Sequence, residues 1–195
     1  MAPQDDVLRT FFAVEIGDAA RRAARAVAER LAAAPGGETV RWVPPESYHV
    51  TLRFLGTTPR DRVASLVAAA QRATRAIAPF ELRLGALAGF PSRRPRAVVL
   101  DIAPHESIVA LAHEVESAVV EAGFAPEPRA FHPHLTLGRV RERARRTPFL
   151  DPAESPADAA PFAIDSFVLF QSVLAATGTQ YTPLERIALG ATFSP

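Results

Sequence analysis

Residues 8–16 (LRTFFAVEI) alternate with a period of two, placing Phe12, Val14 and Ile16 on one face of a predicted strand. Asp18 is positioned to cap the alanine- and arginine-rich helix that follows to about residue 34, and Pro35-Gly36-Gly37 ends it. Pro44-Pro45 then introduces a second strand over 49–55, closed by Gly56. A helix over 61–77 precedes two strands, 80–87 and 96–102. A third helix, 106–122, is ended by Gly123 and followed by a strand that carries His134. Strands at 164–170 and 181–189 complete the pattern, with a Pro- and Arg-rich loop over about 141–161 before them.

The order of these elements recurs. Ala97-Val98-Val99-Leu100-Asp101-Ile102 resembles Phe11-Phe12-Ala13-Val14-Glu15-Ile16. The 33 positions from Ile16 to His49 match the 32 from Ile102 to His134. Pro79-Phe80 before a strand is echoed by Pro161-Phe162. A repeat of about 80–86 residues present twice is too long and too few for a solenoid. It reads as an internal duplication, two strand–helix–strand units related by a pseudo-twofold. The arginine-rich loop stands where the second copy lacks its second helix.

Composition narrows the class. A chain of 195 residues suits one large domain or two small lobes, with an apolar fraction of 48% and a charged fraction of 22%, as in ordinary soluble proteins. There is no cysteine, which excludes thiolate chemistry and favours a reducing compartment, hence a cytoplasmic protein. The N-terminal Met-Ala-Pro-Gln-Asp-Asp lacks the order of a signal peptide, and arginine interrupts the apolar runs too often for a membrane span. Net charge is only +1, so no global cationic field of the duplex-coating kind is present. All 22 basic residues are arginine, which reads as compositional bias alongside many alanines and 18 prolines. Arginines cluster at 93, 94 and 96 and at 139, 141, 143, 145 and 146, where they suit phosphate contacts or plain solvated surface.

The duplication returns one tripeptide pattern twice, His49-Val50-Thr51 and His134-Leu135-Thr136. Strand parity puts His49 beside Thr51 and His134 beside Thr136, each over an apolar face. Two equivalent strands about a pseudo-twofold bring the histidines to opposite sides of one cleft. Histidine titrates near 6.5, so one ring can serve as base while the other serves as acid. In-line attack at phosphorus needs such a pair facing each other across the phosphate, and the threonine hydroxyls can donate to its non-bridging oxygens. His132-Pro133-His134 has the spacing of metal ligands; the lack of cysteine, and of any carboxylate near either histidine strand, counts against a metal. His105 and His113, on the third helix, read as surface residues. Arg53 shares the His49 face by parity, whereas Arg139 falls opposite to His134 unless a bulge or the strand's end returns it. Phe11 reads as a second packing face or a base-stacking ring; Trp42 and Tyr48 are open between stacking platform and core.

The flanks of both motifs, Arg9-Thr10-Phe11-Phe12-Ala13-Val14, His49 to Gly56, Phe131 to Arg139 and Tyr181-Thr182-Pro183-Leu184, resemble the bacterial and archaeal RNA 2′,3′-cyclic phosphodiesterases of the 2H phosphoesterase superfamily, historically called 2′-5′ RNA ligases. The resemblance covers nearly the whole chain and implies an α+β fold of two pseudo-symmetric lobes, each an antiparallel sheet with helices outside, forming a single bilobal domain. It implies His49 as proton donor to the leaving 3′ oxygen and His134 as the base that activates water, giving a 2′-phosphomonoester. Thr51, Thr136 and Arg139 would hold the phosphate. No cofactor or metal is implied. The expected partner is RNA ending in a 2′,3′-cyclic phosphate, tRNA fragments included, acted on by a monomer. The alternatives are cleavage or formation of 2′-5′ linkages and a non-catalytic module that binds RNA ends.

Overall fold

A computed structural model describes residues 6–141, 156, 159–175 and 178–190. Among these residues, nine strands and three α-helices follow in the order β1 (Val7–Glu15), α1 (Asp18–Ala33), β2 (Val40–Trp42), β3 (His49–Pro59), α2 (Val63–Thr74), β4 (Phe80–Phe90), β5 (Ala97–Ala103), α3 (Glu106–Glu121), β6 (His134–Val140), β7 (Phe162–Ile164), β8 (Ser166–Ala175) and β9 (Gly178–Ala188). The fold is α+β with antiparallel sheets, as expected. Arg143, Arg145 and Arg146, in the expected loop, lie outside the described residues.

Several boundaries differ for identifiable reasons. Gly17, not Asp18, is the N-cap of α1; Asp18 occupies the first turn, where its charge complements the helix dipole. The first histidine strand does not stop at Gly56 but continues to Pro59, with Gly56 adopting φ 71° inside it. Short β2, too brief to carry a periodic signal, pairs with β6. Asp165 divides the expected strand at 164–170 into β7, which pairs with β4, and β8, which pairs with β1.

The strands run in the order β7-β4-β5-β6-β3-β1-β8-β9, with β2 beside β6. β3 and β6 touch at a single residue pair, Val50 with Leu135. That seam separates lobe one (β3, β1, β8, β9) from lobe two (β6, β5, β4, β7, β2). Helices cover one sheet face, where Phe12, Val14, Ile16, Val98, Leu100 and Ile102 join the main core with residues of all three helices. The expectation that Phe12, Val14 and Ile16 share one face therefore holds. The lobes are not the two sequence repeats, however. β4 belongs to the first repeat yet sits in lobe two, while β8 and β9 return to lobe one. α1 packs against β2, β4 and β6 of lobe two, and α3 packs against β3 of lobe one and α2. Among the described residues, no helix is long and apolar enough to cross a membrane.

Candidate active site

The face of the sheet away from the helices carries a cleft lined by His49 and Arg139, beside the seam. Val50 and Leu135 are each the residue after a histidine, so their pairing places the two tripeptides antiparallel about a local twofold. Continuing that register one step sets His49 across from Thr136 and Thr51 across from His134. The apolar residues between them, Val50, Leu52, Leu135 and Leu137, are buried on the helix side and anchor both strands. His49, Thr51, His134 and Thr136 are half-buried on the cleft side. Neither threonine hydroxyl bonds to protein among the described residues, which leaves both available to a ligand.

The two imidazoles are held alike. His49 Nδ1 lies 2.8 Å from the carbonyl oxygen of Ser47, and His134 Nδ1 lies 2.7 Å from that of His132. A carbonyl only accepts, so each Nδ1 carries the proton, and in a neutral ring Nε2 is the free lone pair. Sequence reasoning missed both carbonyls, because a backbone acceptor leaves no signature in residue type.

Their surroundings differ. Around His49 stand Phe11, with ring centroids 5.0 Å apart, Tyr181 edge-on at 5.0 Å and Phe170 at 6.3 Å. His134 instead stacks on Phe90 at 5.0 Å and 21°. Burial in this cage lowers the His49 pKa to about 4; the Ser47 carbonyl opposes the shift, and the positive charges of Arg139 and His134 add to it. Phe11 is 1% exposed and joins Ala13, Val168 and Phe170 in a small second core, the packing-face reading of that residue. Tyr48 is core, its hydroxyl pKa raised by burial to about 12. Trp42 is half-buried against the core, and its indole N–H donates to the Gly37 carbonyl at 3.1 Å. Phe90 lies past the expected end of its strand at residue 87, because β4 continues to Phe90.

Matching bulges correct the parity reading of both arginines. In β6, Val99 pairs with Thr136 and Val98 with Gly138, so Leu137 is skipped and Arg139 turns back to the cleft. In β3, Ala13 pairs with Thr51 and Phe12 with Arg53, so Leu52 is skipped and Arg53 turns away from the His49 face. Arg53 is 9% exposed beneath the sheet, donating to Glu116 and to the carbonyls of Phe54 and Ala125. Each skipped leucine lies three residues after its histidine. Phe54 and Arg139, each five after, thus hold equivalent cleft positions, and only the His134 half carries a cation there. Gly138 lets β2 pack closely over the second bulge, since a Cβ on it would meet the Val40 side chain, Trp42 Cε3 at 3.1 Å and the Arg41 carbonyl at 3.3 Å.

A second correction concerns carboxylates. Glu15 is the cross-strand partner of His49, and Asp101 that of His134, so each histidine strand does have an acidic neighbour. Neither binds an imidazole: Glu15 pairs with Arg186, and both Nδ1 atoms face carbonyls. Among the described residues, no group of three or more His, Cys, Asp or Glu side chains could hold a metal ion. His105, at the N-cap of α3, and His113, on that helix, are both exposed.

Matched histidine–threonine pairs on antiparallel strands, at the seam of a bilobal α+β sheet, define a protein of the 2H phosphoesterase type. The chain belongs to the 2′-5′ RNA ligase superfamily, whose family model matches residues 16–174. It is 30% identical over 189 residues to the RNA 2′,3′-cyclic phosphodiesterase of Thermus thermophilus, covering 93% of this chain and 90% of that protein. With the RNA 2′,3′-cyclic phosphodiesterase of Bacillus subtilis the identity is 35% over 100 residues, and the chain spans 55% of that relative's length. The crystal structure of E. coli LigT complexed with 3′-AMP matches with a TM-score of 0.75 at 28% identity, covering 95% of this chain and 99% of that one.

Proposed function

We propose that the protein hydrolyses RNA 2′,3′-cyclic phosphate ends to 2′-phosphomonoesters without a metal, using His49 and His134 as acid and base. The observation that carries this reading is the shared tautomer: two imidazoles about one local twofold, each with Nδ1 tied to a carbonyl and Nε2 left free. His134 Nε2 takes a proton from water as its oxygen bonds to phosphorus. The P–O3′ bond breaks, and the 3′ oxygen receives a proton from His49. Each such transfer is worth about 10²–10⁴-fold. Thr51, Thr136 and Arg139 hold the non-bridging oxygens, with Arg139 supplying the fixed positive charge.

The division of roles follows the family resemblance, and the charge on His49 puts a condition on it. Burial and Arg139 favour the neutral ring, whereas an anionic phosphodiester in the cleft favours the imidazolium. His49 therefore becomes an acid when substrate arrives. Hydrolysis of an oligonucleotide with a 2′,3′-cyclic end should persist in EDTA and be lost in His49→Ala and in His134→Ala. Full activity in either variant, or a 3′-phosphate product, overturns the assignment. Faster turnover of 2′-5′ linked dinucleotides than of cyclic ends would shift the substrate to that linkage.

A further inference from the structure

The cleft does not end at the histidine pair. A groove of about 920 Å³ is lined by His49, Arg139, Arg41 and Glu46 and, at the β8–β9 hairpin, by Leu174 and Gln180. Arg41 is the cross-strand partner of Arg139 in the β2–β6 ladder. Partners in an antiparallel ladder share a face, with Cβ atoms about 4.5–5.5 Å apart, and like charges at such positions repel. Both arginines are exposed on the cleft side, and neither has an ion pair or side-chain hydrogen bond among the described residues. Two nearby arginines are committed elsewhere. Arg21 donates to the carbonyls of Pro45 and Ile16, and Arg186 holds Glu15.

We propose that Arg41 binds the internucleotide phosphate immediately 5′ of the terminal cyclic phosphate, so that the groove accepts an RNA strand rather than a mononucleotide. The proposal rests on the cyclic-phosphate reading above. A cyclic phosphodiester carries one negative charge, which Arg139 answers. The second cation, directly opposite on the next strand, then faces the groove with no ion pair among the described residues. Each added nucleotide brings one more phosphate, and a guanidinium matches its oxygens in a bidentate way. The groove is also lined by Leu174, whose 81% exposure offers an apolar surface to a base without reading its identity. Of the two carboxylates lining the groove, Glu15 is paired with Arg186, and Glu46 disfavours a phosphate beside it.

The test compares three substrates in the wild type and in Arg41→Gln: a nucleoside 2′,3′-cyclic phosphate, the same compound with a 5′-phosphate, and a dinucleotide ending in a 2′,3′-cyclic phosphate. The wild type should prefer the dinucleotide by about tenfold in kcat/KM, as one charge-assisted contact implies. Arg41→Gln should lose that preference, with the unphosphorylated mononucleotide unchanged, and Arg41→Lys should recover part of it. The salt dependence of dinucleotide binding should also weaken by about 0.7 in log–log slope. A preference for the 5′-phosphorylated mononucleotide equal to that for the dinucleotide would assign Arg41 to a terminal 5′-phosphate instead. Wild-type rates equal on all three substrates, or an equal loss on all three in Arg41→Gln, overturn the proposal while leaving cyclic-phosphate hydrolysis standing. Equilibrium binding of a 2′-phosphorylated dinucleotide to the same proteins reads the contact without turnover: equal affinity in wild type and Arg41→Gln also overturns it, whatever the enzyme hydrolyses.

Discussion

Titrating His49 with and without an anion in the cleft tests the electrostatics on which the acid role depends. With a pKa of about 4, the ring lies about three units below neutral pH, so placing a proton on it at pH 7 costs about 4 kcal/mol. A unit negative charge about 4 Å away returns about 4 kcal/mol at an effective dielectric constant of 20, roughly the same size. Bound phosphate should therefore carry His49 from the acid range to near neutrality. Histidine ring NMR reads this directly, with the His49 resonance identified by its loss in His49→Gln. Inorganic sulfate is the suitable probe because its charge stays constant between pH 4 and 8. Free His49 should titrate near 4, and sulfate should raise that value by two to three units. Since sulfate then binds together with a proton in that window, its affinity should strengthen as pH falls from 7 towards 4 and weaken as pH rises. A free His49 that titrates near 6.5, or one that sulfate leaves unmoved, refutes both the burial argument and the condition placed on the acid role.

Arg139→Gln removes a charge that lowers the His49 pKa, so that pKa should rise while kcat/KM on a cyclic end falls about 10²–10³-fold; steady-state kinetics and the same NMR titration check the two effects. Arg53→Met should behave oppositely, destabilising the fold by about 2 kcal/mol in urea unfolding because half-buried Glu116 loses its cation, with kcat unchanged in the folded protein. Gly138→Ala forces a methyl against Val40 and Trp42 and should cost about 1–3 kcal/mol by the same measurement. Stability should also depend on pH through His49. Between pH 6.5 and about 4 the unfolded chain binds the proton more tightly than the native one, so stability falls as pH is lowered through that window, by at most about 3 kcal/mol. His49→Gln should flatten this limb of a pH series of unfolding curves.

Much of the site was legible because strand parity is a local rule. His49 with Thr51 and His134 with Thr136 follow from alternation alone, and the buried Val50 and Leu135 obey it too. Arg53 and Arg139 broke the rule for one shared reason. The leucine skipped three residues after each histidine reverses the side chains that follow it, and residue type alone does not announce a bulge. Phe90, Tyr181 and Phe170 reach the histidines through long-range register, which a local reading does not supply. The seam itself was anticipated by the duplication, while the exchange of strands between lobes was not. Equal spacing from helix to histidine says nothing about which sheet a helix covers.

That exchange has a consequence for how the protein comes apart. Each lobe draws strands from both sequence halves, and α1 and α3 each cover strands of the lobe opposite to the strand that precedes them. Each half of the chain buries its apolar faces against the other, so the halves should unfold as one cooperative unit. Slow amide exchange in both lobes should report a single global opening. A backbone cut between β4 and β5 should yield two fragments that stay unfolded apart and regain the paired histidines only when mixed.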